Sequence, residues 1–192
     1  MQTYSHLLIN AVADRALKHR NVPNCTGALL VGGVLPDVPF FLLTLLGEIY
    51  YRLFASTPTG ESPMVYMHFT LYFADPWWIA GHNVLHAPFV LAVLGTMGYF
   101  ASRQGVHWGD ILLWFALGAG LHTLLDVFTH AQDGPLLLFP FNWQWRVNSP
   151  ISYWDPAYHG RIFASLEHAL DLVMLGYLLY TWRRHRSRRP TA

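Results

Sequence analysis

Residues 109–130 form a long apolar stretch that carries metal-binding residue types at a regular spacing. His122, Asp126 and His130 recur every fourth residue within it. On an α-helix a step of four residues turns the side chain by about 40°, so the three side chains share one face. An ionisable group inside an apolar membrane helix costs about 2.5–3.5 kcal/mol by insertion scales, so its presence indicates a function. The stretch therefore predicts a membrane helix with a metal-ligating face.

The composition favours a membrane protein. Hydrophobic residues make up 53% of the chain and charged residues 12%, whereas about 25% are charged in an ordinary soluble domain. Aromatic residues reach 16% and include eight Trp, as is typical where many rings lie at a membrane interface. A soluble helical protein with a large core is the alternative. The formal net charge of +1 provides no overall field to attract nucleic acid, so no nucleic-acid partner is expected.

The N-terminal sequence and the cysteine content narrow the possibilities further. Asp14 and Arg15 precede any long apolar run, so no cleavable signal peptide is expected and the helices of the chain itself would place it in the membrane. Cys25 is the only cysteine, which excludes an intrachain disulfide and argues against a thiolate metal site. Any metal is then expected to be bound by His, Asp and Glu.

We predict an all-α integral membrane bundle of about five helices, forming a single domain over residues 1–192. The apolar periodicity places these helices at 3–18, 26–46, 82–101, 109–130 and 162–182. Pro36 and Pro39 predict a kink or break in the second helix. Two long aromatic-rich connections are expected, at 48–81 and 133–161.

The basic residues predict the orientation of the bundle. They collect at 18–20, at Arg103 and in the C-terminal tail 183–189, which the positive-inside rule places on the cytoplasmic side. The N-terminus and both long connections then lie on the non-cytoplasmic side. In this arrangement the His and acidic side chains of several helices reach a similar depth, which favours one shared site.

The candidate site residues come from all five predicted helices. His82 and His86 are one helical turn apart and are expected to bind the same ion as His122 and Asp126. A carboxylate in an apolar context, such as Asp37, needs a cation or hydrogen-bond donors, or else it becomes protonated. The full set of expected metal ligands, direct or supporting, is His6, Asp37, His82, His86, His122, Asp126 and His130. Glu167 is the candidate general base.

These residue patterns also have structural explanations. The face formed by His122, Asp126 and His130 would suit hydrogen bonds between helices without a metal. His86, just before Pro88, would suit a helix cap. His6 would suit a buried imidazole whose hydrogen bonds are satisfied.

Several segments resemble the YdjM-type inner-membrane proteins. The resemblance rests on Ser5-His6, on Gly-Val-Leu-Pro-Asp37, on His122-Thr-Leu-Leu-Asp126 and on the loop Asp133-Gly-Pro-Leu-Leu-Leu-Phe-Pro-Phe141. Residues 149–160 and the Glu167 that follows also resemble this group. Its members are described as membrane-bound, metal-dependent hydrolases that are distantly similar to the all-helical zinc-dependent phospholipase C group.

The resemblance implies a bacterial inner-membrane location and a metal site that uses His6, Asp37, His122 and Asp126. The additional histidines His82, His86, His130 and His159 would make the site dinuclear or line its pocket. We therefore expect a hydrolase in which Zn²⁺, or else Mn²⁺ or Fe²⁺, activates water against an ester or phosphoester, with the bilayer and a lipid-like substrate as partners. The alternatives are a haem-binding electron-transfer protein and a metal or proton transporter.

Overall fold

The computed structural model describes residues 1–58 and 60–186, and no β-strand occurs among them. The predicted all-α fold is therefore confirmed. Its helices are α1 (Thr3–His19), α2 (Thr26–Gly32), α3 (Val38–Leu53), α4 (Pro63–Tyr66), α5 (Tyr72–Ala74), α6 (Pro76–Asn83), α7 (Pro88–Arg103), α8 (His107–Thr129) and α9 (Gly160–Arg186). Short 3-10 turns at Leu35–Asp37 and Pro156–Tyr158 and a π-helical turn at Met67–Leu71 connect some of them. The end of the basic tail, Ser187-Arg188-Arg189, lies outside the described residues.

Two helices are long and apolar enough to cross a membrane, namely α8 and the segment Gly160–Arg184 of α9. Two bent pairs meet the same criteria if each pair counts as one span: α2 with Leu35–Leu53, bent by 41°, and α6 with α7, bent by 46°. The described chain thus offers two to four spans by length and composition, and the predicted count of five is not confirmed. Apolar side chains of α9 face outward, since Leu166 is 65% and Leu172 is 71% exposed, as expected for a helix in contact with lipid.

The two bent pairs differ in how well the sequence predicted them. The break at Pro36 is confirmed, because the chain leaves α2 after Gly32 and makes a 3-10 turn before α3. The prediction of a continuous helix from 82 to 101 is wrong. That helix is interrupted between Asn83 and Pro88, where Pro88 has no N–H to continue the hydrogen-bond ladder of α6.

The helix α8 lies between α2 and α7, and its glycines allow α2 to approach closely. A Cβ atom on Gly118 would overlap the carbonyl oxygen of Leu29, and a Cβ atom on Gly32 would overlap that of Phe115. Small residues at such crossings bring helix backbones into contact. The backbone at the end of α2 is thereby held against the middle of α8.

The helices α1 and α9 lie side by side and run in the same direction. Gln2 contacts Glu167, Ser5 contacts Asp171, and Arg15 contacts Thr181. The buried residues of α1 are all polar: Ser5, His6, Asn10 and Asp14. This helix therefore presents a polar face to the interior of the bundle, where other buried polar side chains lie.

Candidate metal centre

Four of the predicted site residues converge at one point. Asp37, His86, His122 and Asp126 each offer one ligand atom, and these atoms all lie within 4.8 Å of one another. Two of these residues, His122 and Asp126, lie one turn apart on α8. The other two lie in the breaks of the bent helix pairs, Asp37 before α3 and His86 before α7. The centre thus forms where two interrupted helices meet one continuous helix.

The distances between the ligand atoms are similar to one another. The Nε2 atom of His122 lies 3.0 Å from Oδ2 of Asp126, 3.3 Å from Oδ1 of Asp37 and 3.0 Å from Nε2 of His86. The Nε2 atom of His86 lies 3.5 Å from the same Asp126 oxygen and 3.6 Å from the same Asp37 oxygen. Ligands at the usual 2.0–2.1 Å around a tetrahedral ion are about 3.3 Å apart. Five of the six distances are close to this spacing, and the sixth, between the two carboxylate oxygens, is no more than 4.8 Å.

Both imidazoles are oriented by backbone carbonyls. These carbonyls lie at the helix breaks and are not used in helical hydrogen bonds. The Nδ1 atom of His122 lies 3.0 Å from the carbonyl oxygen of Gly33, and Nδ1 of His86 lies 2.5 Å from that of His82. In a regular helix each of these carbonyls would accept a hydrogen bond from the backbone N–H of the residue four positions later. Here the N–H of Asp37 donates to Val34 and the N–H of His86 donates to Asn83, so both carbonyls are free to accept from an imidazole.

These contacts determine which ring nitrogens face the centre. A carbonyl oxygen can only accept, so Nδ1 carries the proton in each neutral ring and Nε2 presents its lone pair. The two Nε2 atoms cannot hydrogen bond to each other in that state, although they are 3.0 Å apart. Two carboxylate oxygens, which also only accept, complete the group. Four acceptors facing one another are balanced either by a cation among them or by protonation of the imidazoles, and the group could hold a metal ion.

The second oxygen of each carboxylate is held by α1. The Oγ1 of Thr3 donates to Oδ2 of Asp37 at 2.5 Å, and Oδ1 of Asp126 lies 3.0 Å from Nε2 of His6. The nitrogen of Met1 is also 3.0 Å from that Asp126 oxygen. Each acid thus offers one oxygen to the centre and uses the other to fix its orientation, an arrangement that is common around metal ligands.

The remaining predicted residues surround this group. His6 stacks on His122 with ring centroids 3.7 Å apart, and His82 stacks on His86 at 4.5 Å. Neither ring nitrogen of His82 has a hydrogen-bond partner within the described part of the chain. The Nδ1 of His130 is 3.6 Å from Oδ1 of Asp126. From the sequence we expected His82 to bind the ion together with His86, whereas the structure places Asp37 in the group and His82 behind His86.

The predicted base, Glu167, lies across the start of α1 from Asp126. Its Oε1 accepts a hydrogen bond of 2.7 Å from the backbone N–H of Gln2, and its Oε2 is buried without a partner among residues 1–58 and 60–186. Sequence reasoning missed Thr3 and the carbonyl of Gly33. The role of Thr3 could have been predicted, because Thr3 lies three residues before His6 and therefore on the same face of α1. No pattern of side chains in the sequence indicates the role of the Gly33 carbonyl, because that role belongs to the backbone.

The long connection after α8 is fastened beside the centre by polar contacts. The side-chain oxygen of Asn83 accepts from the backbone N–H of Leu136 at 2.6 Å. The hydroxyl of Tyr72 donates to the carbonyl of Asp133 at 2.5 Å, and Arg146 donates to the Gly134 carbonyl and to that hydroxyl. The guanidinium of Arg146 also lies over the Tyr72 ring, 4.7 Å from its centroid. The connection is therefore tied to α5 and α6.

The four residues of the centre differ in how much of their side chain is exposed. The side chains of His86 and His122 are 0% exposed and that of Asp126 is 3% exposed, whereas that of Asp37 is 26% exposed. A small molecule would therefore reach the centre from the side of Asp37.

The fold and the site together define a helical membrane protein with a buried His/Asp cluster able to hold a metal ion. The chain belongs to the YdjM inner membrane protein family, whose model matches residues 1–189. Neither the curated proteins nor the solved structures contain a match to it.

Proposed function

We propose that this protein is a membrane-bound, metal-dependent hydrolase that cleaves an ester or phosphoester, with a lipid as the substrate class. The observation that carries the proposal is the convergence of four acceptor atoms from Asp37, His86, His122 and Asp126. Two carboxylates and two neutral imidazoles sum to a charge of about −2. Buried charge of this kind is costly unless a cation balances it.

The donor set fits a divalent ion such as Zn²⁺, Mn²⁺ or Fe²⁺, since imidazole and carboxylate suit all three. Such an ion supplies Lewis acidity, which polarises an ester or phosphoester oxygen and makes water a nucleophile near neutral pH. A haem is a poorer fit. The Nε2 atoms of His86 and His122 are 3.0 Å apart, which leaves no room for a macrocycle between them.

The residues of the chain then have distinct roles. Thr3 and His6 orient the two carboxylates, and the carbonyls of Gly33 and His82 orient the two imidazoles. Glu167 accepts the proton of the attacking water, because its Oε2 is buried and unpaired within the described chain. A carboxylate oxygen without a hydrogen-bond partner can accept a proton, as a general base must.

The test is elemental analysis of detergent-purified protein. Wild type should contain a stoichiometric amount of divalent metal, and His122→Ala and Asp126→Asn should lose it while remaining folded by circular dichroism. His107→Ala is the matched control, because His107 is an exposed histidine at the other end of the same helix. Equal and negligible metal in all four proteins would rule out the metal centre.

Hydrolysis is tested separately on a panel of phospholipids and simple esters. Glu167→Gln should keep the metal and lose about 10²–10⁴-fold in rate, the usual contribution of a general base. Metal in the wild-type protein without hydrolysis of any substrate would preserve the centre and refute the hydrolase assignment.

A further inference from the structure

A cavity with several basic side chains in its lining lies between α1 and α9, near the C-terminal ends of both helices. Its volume is about 580 Å³, and its lining includes the basic side chains Arg15, Lys18 and Arg184, with His19 beside them. This cavity lies near the end of α9, whereas the metal centre lies near the start of that helix. Glu167 and Arg184 are 17 residues apart, about 25 Å along a helix. The cavity is therefore independent of the proposed hydrolase site.

Lys18 and Arg15 both make hydrogen bonds beside this cavity, but one donor of Arg15 is left over. Lys18 donates to Asp14 at 2.9 Å. Arg15 donates through Nη2 to the carbonyl oxygen of Thr181 at 2.8 Å, and its Nε is buried with no hydrogen-bond partner in the described chain. A buried guanidinium donor without a partner indicates that an acceptor is missing. Arginine donors are suited above all to phosphate and carboxylate.

The surroundings of the cavity are those of a membrane interface. Tyr177 and Tyr180 line it, and Trp182 follows on the same helix with 55% of its surface exposed. Tyrosine and tryptophan concentrate where the hydrocarbon meets the headgroups. The helix that carries them is one of the two single helices able to span a membrane. At this level the headgroup of an anionic lipid can supply the missing acceptor.

We propose that this cavity binds the phosphate of an anionic phospholipid. Arg15, Lys18 and Arg184 would contact the phosphate, while the tyrosine rings pack against the glycerol and the first methylenes of the acyl chains. Basic pockets between helices at a membrane surface bind anionic headgroups in this way. The bound lipid would join the ends of α1 and α9, which in the protein alone are linked there by the Arg15–Thr181 hydrogen bond.

The experiment measures lipid binding to delipidated, detergent-purified protein by native mass spectrometry and by thermal stability. The probes are phosphatidylglycerol, phosphatidylcholine and inorganic phosphate. Wild type should bind phosphatidylglycerol in preference to phosphatidylcholine and be stabilised by it, and inorganic phosphate should have little effect. The double variant Lys18→Gln/Arg184→Gln should bind phosphatidylglycerol about 30-fold more weakly, given the usual contribution of each basic residue near an anionic surface.

The matched control is Arg20→Gln/Arg103→Gln, which removes the same charge from exposed positions outside the cavity. It should bind phosphatidylglycerol like the wild type. Equal loss in both double variants would show nonspecific attraction and overturn the proposal, as would unchanged binding in the cavity variant. Equal stabilisation by inorganic phosphate would reject a lipid as the ligand. Metal content should be the same in all of these proteins, so the result is separable from the hydrolase proposal.

Discussion

The Nδ1 atom of His122 lies 3.0 Å from the carbonyl oxygen of Gly33, although the two residues are 89 positions apart in the chain. This hydrogen bond links the helix break that holds Asp37 to the helix that holds Asp126. It depends on the close approach of α2 to α8. The geometry of the candidate centre therefore rests on backbone packing as well as on its four side chains.

Gly118→Ala should disturb both the fold and the centre. The new Cβ would overlap the carbonyl of Leu29 and approach the side chain of Asn10, so α2 must move away from α8 and take the Gly33 carbonyl with it. Overpacking of this kind typically costs 1–3 kcal/mol. We expect a lower melting temperature and weaker metal retention during dialysis against a chelator.

Gly120→Ala is the control for that substitution. It lies on the same helix, and a Cβ there would meet no atom within 4 Å. Because alanine is the better helix former by up to about 1 kcal/mol, this variant should be as stable as wild type or slightly more so. A melting temperature of Gly118→Ala equal to that of Gly120→Ala would contradict the packing argument.

Two stacked histidines should differ sharply in their effect on metal binding. The Nε2 of His86 belongs to the group of four, whereas His82 lies behind it with its ring centroid 4.5 Å away. His86→Phe should weaken metal affinity by more than the 10–100-fold typical of supporting residues. His82→Phe preserves the stacked ring and should leave the affinity within that smaller range. Competition with a chromophoric chelator measures both, and a larger loss in His82→Phe would reverse our assignment of ligands.

Arg146→Gln should loosen the long connection after α8. The substitution removes the donor to the Gly134 carbonyl and the charge over the Tyr72 ring. A hydrogen bond from a charged group contributes about 1.5–3 kcal/mol. We expect faster proteolytic cleavage within residues 131–159, monitored by mass spectrometry.

Arg52→Gln is the control for the effect of Arg146→Gln on the long connection after α8. Arg52 is paired with Glu48 one turn away and its side chain is 66% exposed, and exposed pairs contribute little to stability. Cleavage of the 131–159 connection should therefore be unchanged. Similar cleavage rates in the Arg52 and Arg146 variants would mean that Arg146 does not fasten this segment.

Asp14 should make stability depend on pH. Asp14 lies on α1, outside the four candidate spanning segments. Burial raises its pKa, but hydrogen bonds from Lys18, Thr26 and Asn24 outweigh burial and hold the pKa below the ordinary value of 3.8. A carboxyl with a lowered folded pKa stabilises the protein above its unfolded pKa, and this contribution is lost as the pH falls through the folded value.

Asp14→Asn should therefore melt at a lower temperature than wild type at pH 7, and the difference should shrink below about pH 3.8. Thr26→Val removes one of the donors and should give a smaller change with the same pH dependence. Melting curves in detergent between pH 7 and pH 3 measure both variants. A difference between wild type and Asp14→Asn that stays constant over this range would count against the prediction.

The sequence determined the local part of the site. The four-residue spacing of His122 and Asp126 suffices to place both on one face of a helix, because helix geometry fixes neighbours one turn apart. The prolines at 36 and 39 likewise predicted a break around Asp37, because proline cannot continue a helix ladder. The all-α fold and the membrane character followed from apolar periodicity and a low charge content.

Only the tertiary structure decided how these local features meet. The interruption before Pro88 turns His86 toward α8 and leaves His82 behind it, and no spacing rule distinguishes two histidines one turn apart. Thr3 and the Gly33 carbonyl reach the centre through contacts between segments far apart in the chain. Such contacts depend on how closely whole helices pack, and the close approach at Gly32 and Gly118 sets that distance.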